Sequence, residues 1–338
     1  MRRRERRRNF CPSGSRESPA KPQAENRRVT GKLRAYFELL RFPAVFTAMA
    51  DVMMGFLVTQ GELHPPRAFT LLAAISALLY LSGMVLNDVF DAEVDAQERP
   101  HRPIPSARIS YRPALVLGAV LMALGLLVSL HVGEHTKHER PAFVTIALAA
   151  CILLYDGWAK RTSLGPVVMG GCRFLNVLLG MSLATAVDGI QLRPWTVTEW
   201  LLAAGMGIYI AGVTVFARGE TTFSERRRLS VGIAILAAGL ATIAIAPAVF
   251  TDEWRLTLGQ VQWLILWALL ATVIVRRCLL AMQNPAPAFV QQAVRTCLRS
   301  IIVIDAAIVL GFCGPMWGCA VLTLLVPTLL LERWANTT

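Results

Sequence analysis

From about residue 37 onward the chain is a succession of long apolar runs separated by short polar stretches. The runs fall at roughly 37–60, 68–90, 113–132, 142–158, 165–187, 198–217, 229–250, 260–280 and 298–331. A helix needs about 20 residues to cross a ~30 Å hydrocarbon core, and each of the first eight runs is near that length. The last is too long for one straight span and contains Gly311, Gly314 and Pro315. It reads as one broken helix or as two helices with a turn at Gly314-Pro315. The pattern predicts an all-α polytopic membrane bundle of about nine transmembrane helices.

Composition agrees with that reading. Hydrophobic residues make up 55% of the chain, charged residues 17%, and the mean hydropathy is +0.51. A soluble protein carries roughly a quarter charged residues. The formal charge of +12 would suit nucleic acid, but its distribution points to membrane lipids instead. Fourteen Arg and Lys side chains lie in the loops after the second, fourth, sixth and eighth spans, against five in the intervening loops. The positive-inside rule then predicts a cytoplasmic N-terminus and cytoplasmic even-to-odd loops, as in a bacterial plasma membrane. Residues 1–30 carry Arg2–Arg4 and Arg6–Arg8 with little apolar content, which reads as a disordered basic tail ahead of one transmembrane domain, 31–338. The seven cysteines form no C-x-x-C pair and read as small buried hydrophobes.

The cytoplasmic end of the second run reads Asn87-Asp88-Val89-Phe90-Asp91-Ala92-Glu93-Val94-Asp95. At helical spacing, Asn87, Asp91 and Asp95 stack along one face, with Asp88 beside them. Carboxylates crowded at a membrane boundary repel one another unless cations offset them. Mg²⁺ favours one or two carboxylates plus phosphate oxygens and water. Such a row suits a Mg²⁺–diphosphate headgroup whose apolar tail lies in the bilayer, although a merely solvated acidic helix end is the plainer alternative.

The row runs into Arg99-Pro100-His101-Arg102-Pro103-Ile104-Pro105-Ser106. Together the two segments resemble the UbiA superfamily of intramembrane prenyltransferases, whose members carry N-D-x-x-D-x-x-x-D followed by R-P-x-R-P-I-P-S. The resemblance covers roughly residues 36–230. It implies transfer of a prenyl chain from its diphosphate to an acceptor, often an aromatic ring. It also implies Asn87, Asp91 and Asp95 as Mg²⁺ ligands, with Asp88, Asp91 and Asp95 in the reaction and Asn87 and Arg102 on substrate.

The family's second acidic motif belongs in the loop after the sixth span, where this chain has Arg218-Gly219-Glu220-Thr221-Thr222-Phe223-Ser224-Glu225-Arg226-Arg227-Arg228. Glu220 and Glu225 are five apart and cannot share a helical face, though a loop could join them. Arginine suits phosphate, so Arg218 and Glu220 are catalytic candidates and Glu225 a binding one. Arg226–Arg228 read equally well as membrane anchors. At the end of the fourth span Tyr155 and Lys160 match the family imperfectly, and with Arg161 they are further substrate-binding candidates. Arg173 and Asn176 share a face inside the fifth span, and a charge there marks a cavity or a structural partner such as Asp51 or Asp305. His131, His135 and His138 with Glu134 have metal-like spacing at the opposite membrane face, in a loop expected to be solvated.

Three functions fit: Mg²⁺-dependent prenyl transfer from a prenyl diphosphate, lipid binding or transport on the same fold, and phosphosugar transfer onto a polyprenyl phosphate. Acceptor and chain length are not written in the sequence.

Overall fold

The computed structural model describes residues 32–184, 192–218, 225–248 and 256–337. The basic tail, Cys11, Glu220 and Ser224 lie outside the described residues.

The apolar runs form helices. They are α1 (Val45–Gln60, entered through a 3-10 turn at Phe42–Ala44), α2 (Pro66–Phe90), the short α3 (Ala92–Glu98), α4 (Tyr111–Thr136), α5 (Arg140–Gly157), α6 (Gly165–Gly180), α7 (Val197–Ala217), α8 (Arg226–Ile245), α9 (Gln260–Gln283), α10 (Pro287–Cys313), α11 (Pro315–Leu322) and α12 (Leu325–Thr337). Among the described residues nine helices, with α11 and α12 counted as one span, are long and apolar enough to cross a membrane. The tenth apolar segment, α6, is shorter than the run at 165–187 suggests and holds 16 residues. Proline opens α2, α5, α6, α10 and α11 within their first two positions, where its missing N–H costs no helical hydrogen bond.

The last run breaks into two spans, α10 and the α11–α12 pair. Gly314 sits at φ +87, a backbone state that favours glycine, and Pro315 starts α11 directly after it. Helix α10 also begins at Pro287, eleven residues before the expected start. The extra turns carry charge on one side only. Val290, Ala293, Val294, Cys297 and Ile301 are buried at helical spacing, so an amphipathic stripe extends the helix where average hydropathy is low.

The helices follow one another around a ring. Helix α2 packs on α1, α4 and α5; α6 packs on α1, α5 and α7; α7 packs on α8, and α10 closes the ring against α1, α7 and α9. Close approach between α1 and α6 depends on two glycines. A Cβ on Gly180 would stand 2.5 Å from the Val52 carbonyl oxygen, and one on Gly55 would stand 2.7 Å from the Val177 carbonyl oxygen. Both obstacles are backbone, which cannot rotate away. Gly180→Ala should therefore destabilise the bundle by about 1–3 kcal/mol, seen as a lower melting temperature in detergent. Gly157→Ala, where a Cβ meets open space, should leave it unchanged.

Candidate functional site

One end of the bundle gathers the charged residues of the acidic motif. Helix α2 stops at Phe90, Asp91 takes φ −95 and ψ 1, and α3 resumes at Ala92. The backbone bonds Asp91 N–H to Asn87 O (3.0 Å) and Asp95 N–H to Asp91 O (2.8 Å) carry the chain across this turn. The side chains do not form the single row that the spacing suggests. Asp88 and Asp95, two turns apart, both meet Arg102: its Nη1 lies 2.5 Å from Asp95 Oδ2 and 3.3 Å from Asp88 Oδ1. Asp91 turns to the α5–α6 loop, where Lys160 Nζ lies 2.8 Å away and Arg161 3.8 Å away. Asn87 donates from Nδ2 to Asp156 Oδ1 of α5 at 2.8 Å.

Asp88 and Asp95 are 5% and 4% exposed, so their charge needs close compensation. Asp88 obtains a second cation from Arg41, whose Nη2 is 3.1 Å from Oδ1. Arg41 has φ 44 and ψ 44, a left-handed state uncommon for a residue with a side chain. That backbone turn at the head of the first span carries its guanidinium over the end of α2.

Beneath this cluster is a cavity of about 440 Å³ between α1, α2, α5, α6, α7 and α10. Its mouth is polar, with Arg41, Asn87, Tyr155 and Asp156. Its walls are largely apolar, among them Leu79, Met84, Ile152, Met169, Ile210 and Ile301. Deeper, Thr47, Ser76, Arg173 and Asn176 return polarity to the lining. Arg173 Nη1 is 2.8 Å from Asp51 Oδ2, and Asn176 Nδ2 is 2.8 Å from the same oxygen. The structural pairing and the cavity position expected as alternatives for Arg173 and Asn176 therefore hold together.

Arg218 caps α7, and its Nη2 donates to the Thr162 carbonyl oxygen. It fits because the neighbouring Gly165 has no side chain; a Cβ there would stand 2.6 Å from that nitrogen. Arg218 thus grips the loop that supplies Lys160, rather than lining the cavity itself. The structure does not bring Glu225 to the mouth. It precedes α8, its side chain is 76% exposed, and its ion partner is Arg228 at 4.0 Å. At the far end, His131 and His135 pack ring to ring at 4.3 Å.

The donors around the motif are carboxylate and amide oxygens, the hard ligands Mg²⁺ prefers. Among the described residues no three His, Cys, Asp or Glu side chains converge tightly enough to form a metal cage. The residues suit the ion in kind, as a half-site completed by substrate.

Sequence reasoning missed Arg41 and Asp156. Arg41 stands 47 positions from Asp88, and only the Arg-Phe-Pro opening of the first span hints at it. Asp156 stands between two candidates that were singled out, Tyr155 and Lys160, and a carboxylate beside an apolar span was the available signal. If Arg102 is the clamp that neutralises Asp88 and Asp95, Arg102→Met should lower the melting temperature. Added Mg²⁺ should then raise it by more than it raises that of the unaltered protein, since the freed carboxylates attract a cation more strongly. Equal Mg²⁺ shifts in a thermal-melt titration would contradict the clamp.

The model of the UbiA prenyltransferase family matches residues 48–287. Over 158 residues the chain is 34% identical to the digeranylgeranylglyceryl phosphate synthase of Ignicoccus hospitalis, covering 47% of this chain and 50% of that one. Over 143 residues it is 30% identical to the protoheme IX farnesyltransferase of Parvibaculum lavamentivorans, covering 42% and 44%. The chain spans about half the length of these curated relatives. The structure superposes on a UbiA homolog from Archaeoglobus fulgidus bound to GPP and Mg²⁺, with a TM-score of 0.54 and 16% identity, over 86% of this chain and 99% of that one. At that identity the likeness is one of fold.

Proposed function

The chain belongs to the UbiA prenyltransferase family, and on that premise we propose that it transfers a prenyl group from a prenyl diphosphate to an acceptor inside the membrane, with Mg²⁺. The observation that carries this reading is the cavity with a polar mouth and apolar walls, set under a cluster in which acids and cations nearly balance. A prenyl diphosphate has the same division, a highly charged head on a hydrocarbon tail. Relatives named for transfer to a glyceryl phosphate lipid and to protoheme support the reaction class and leave the acceptor open.

In this reading Asn87, Asp91 and Asp95, with Asp88, are the residues that would hold Mg²⁺. The ion would neutralise the diphosphate and so make it a better leaving group. Arg41 and Lys160 lie at the mouth or on its rim and meet the phosphate oxygens, as Arg102 and Arg161 support them from the loops. Tyr155 and the apolar walls enclose the allylic carbon, and the membrane-embedded cavity keeps water from intercepting the positive charge that develops there. Arg218 acts through the Thr162 carbonyl, fixing the loop from which Lys160 reaches Asp91. The excess of Arg and Lys in the loops at this end supports a cytoplasmic site.

Asp91→Ala or Asp95→Ala should abolish Mg²⁺-dependent binding of a radiolabelled prenyl diphosphate while insertion into the membrane survives. Retained binding in both variants would remove the site assignment. Arg218→Ala should weaken binding by about 2 kcal/mol, whereas Arg227→Ala, on an exposed residue at the start of α8, should cost less than about 1 kcal/mol. Release of free diphosphate from the lipid, followed in the same assay, separates a transferase from a lipid carrier.

A further inference from the structure

The deep polar pole of the cavity has no use for a hydrocarbon tail. Ions buried at membrane depth are costly, and where they occur they usually serve a polar ligand or path. Thr47, Ser76, Arg173 and Asn176 line the cavity here. Counting 1.5 Å per residue, Ser76 lies about 16 Å along α2 from Asn87, and Arg173 about 12 Å into α6 from Gly165.

Most donors at this pole are already spent. Thr47 donates to the Ala44 carbonyl (2.8 Å) and Ser76 to Asn176 Oδ1 (2.7 Å). Asn176 gives one amide hydrogen to the Ala48 carbonyl (2.9 Å) and the other to Asp51 (2.8 Å). Of these four side chains Arg173 alone keeps donors in reserve. Asp51 takes Nη1 and Nε is buried, which leaves the N–H groups of Nη2, paired with no described residue, for the cavity.

The charge on this pole is also set. Near Arg173 lie two fully buried carboxyl groups, Asp51, which it pairs with, and Asp305, neither of whose oxygens receives a donor. One guanidinium therefore answers two buried carboxyl groups, which leaves no positive charge over for an anion, while Arg173 itself lines the cavity.

We propose that Arg173 is the head-group site for the acceptor and takes an uncharged oxygen, a carbonyl or hydroxyl, in preference to a carboxylate or phosphate. A neutral oxygen satisfies the spare donors without adding charge. An anion would leave the pole with an uncompensated negative charge at membrane depth. The proposal rests on the transferase reading, because it assigns the second substrate of that reaction. Asp51 and Asn176 are positioning residues that aim the guanidinium.

The test uses the full chain in lipid nanodiscs, with binding to empty nanodiscs subtracted, and three probes of similar size: tetralin, 1-tetralone and 1-naphthoate. The unaltered protein should bind 1-tetralone roughly tenfold more tightly than tetralin, the size of one hydrogen bond to a charged group. It should bind 1-naphthoate no better than tetralin. Arg173→Lys keeps a countercharge for Asp51 but not the planar fork, and should erase most of the tetralone preference. Tightest binding of 1-naphthoate, or an unchanged tetralone preference in Arg173→Lys, overturns the proposal. Geranyl diphosphate binding on the same nanodiscs separates the two readings. If it is absent while the Arg173-dependent preference persists, the transferase reading fails and the subsite stands; the reverse pattern sinks the subsite alone.

Discussion

Everything at the working end of this bundle follows from the need to neutralise carboxylates at a membrane boundary. Asp88 and Asp95 are almost wholly buried, and an unpaired carboxylate there would cost several kcal/mol. The chain meets that cost by drawing cations from three separate segments. Arg41 comes from the head of α1, Arg102 from the loop after α3, and Lys160 from the loop between α5 and α6. The ion pairs therefore tie together elements that are distant in sequence, and they place a cationic rim around the mouth of the cavity. A cluster balanced in this way leaves no bare charge exposed to the bilayer.

Glycine contributes the other half of the geometry. Backbones meet at Gly55 and Gly180, and Gly165 leaves room for Arg218 to reach the Thr162 carbonyl. These contacts set how far α6 and its preceding loop stand from α1 and α7. Lys160 and Arg173 are both carried by that segment, one above the cavity and one within it. Helix spacing and charge placement are thus one problem, solved by the same short stretch of chain.

Much of the fold was legible in the sequence because lipid imposes a length and a hydropathy on each span. Seven of the eight earlier runs and the break at Gly314-Pro315 follow from that, whereas the fifth run forms only the 16-residue α6. The early start of α10 escaped because hydropathy averages over a window, whereas the stripe Val290, Ala293, Val294, Cys297 and Ile301 is apolar on one face only. The acidic motif was legible as a cluster but not as a set of partners. Helical spacing gives the azimuth of Asn87, Asp91 and Asp95, yet tertiary packing decided that Asp91 meets Lys160 and Asn87 meets Asp156. Arg41 and Asp156 were out of reach for the same reason. Glu225, placed in the site by motif position, instead faces solvent beside Arg228.

The central claim is that the carboxylates of the α2–α3 segment and their cations form a half-site that Mg²⁺ and a diphosphate complete together. Calorimetric titration of the full chain with geranyl diphosphate, in Mg²⁺ and again in EDTA, tests it most directly. The account predicts affinity at least roughly tenfold higher with Mg²⁺, because the metal relieves repulsion between the phosphate and Asp88, Asp91 and Asp95. Equal affinity in both conditions would contradict it.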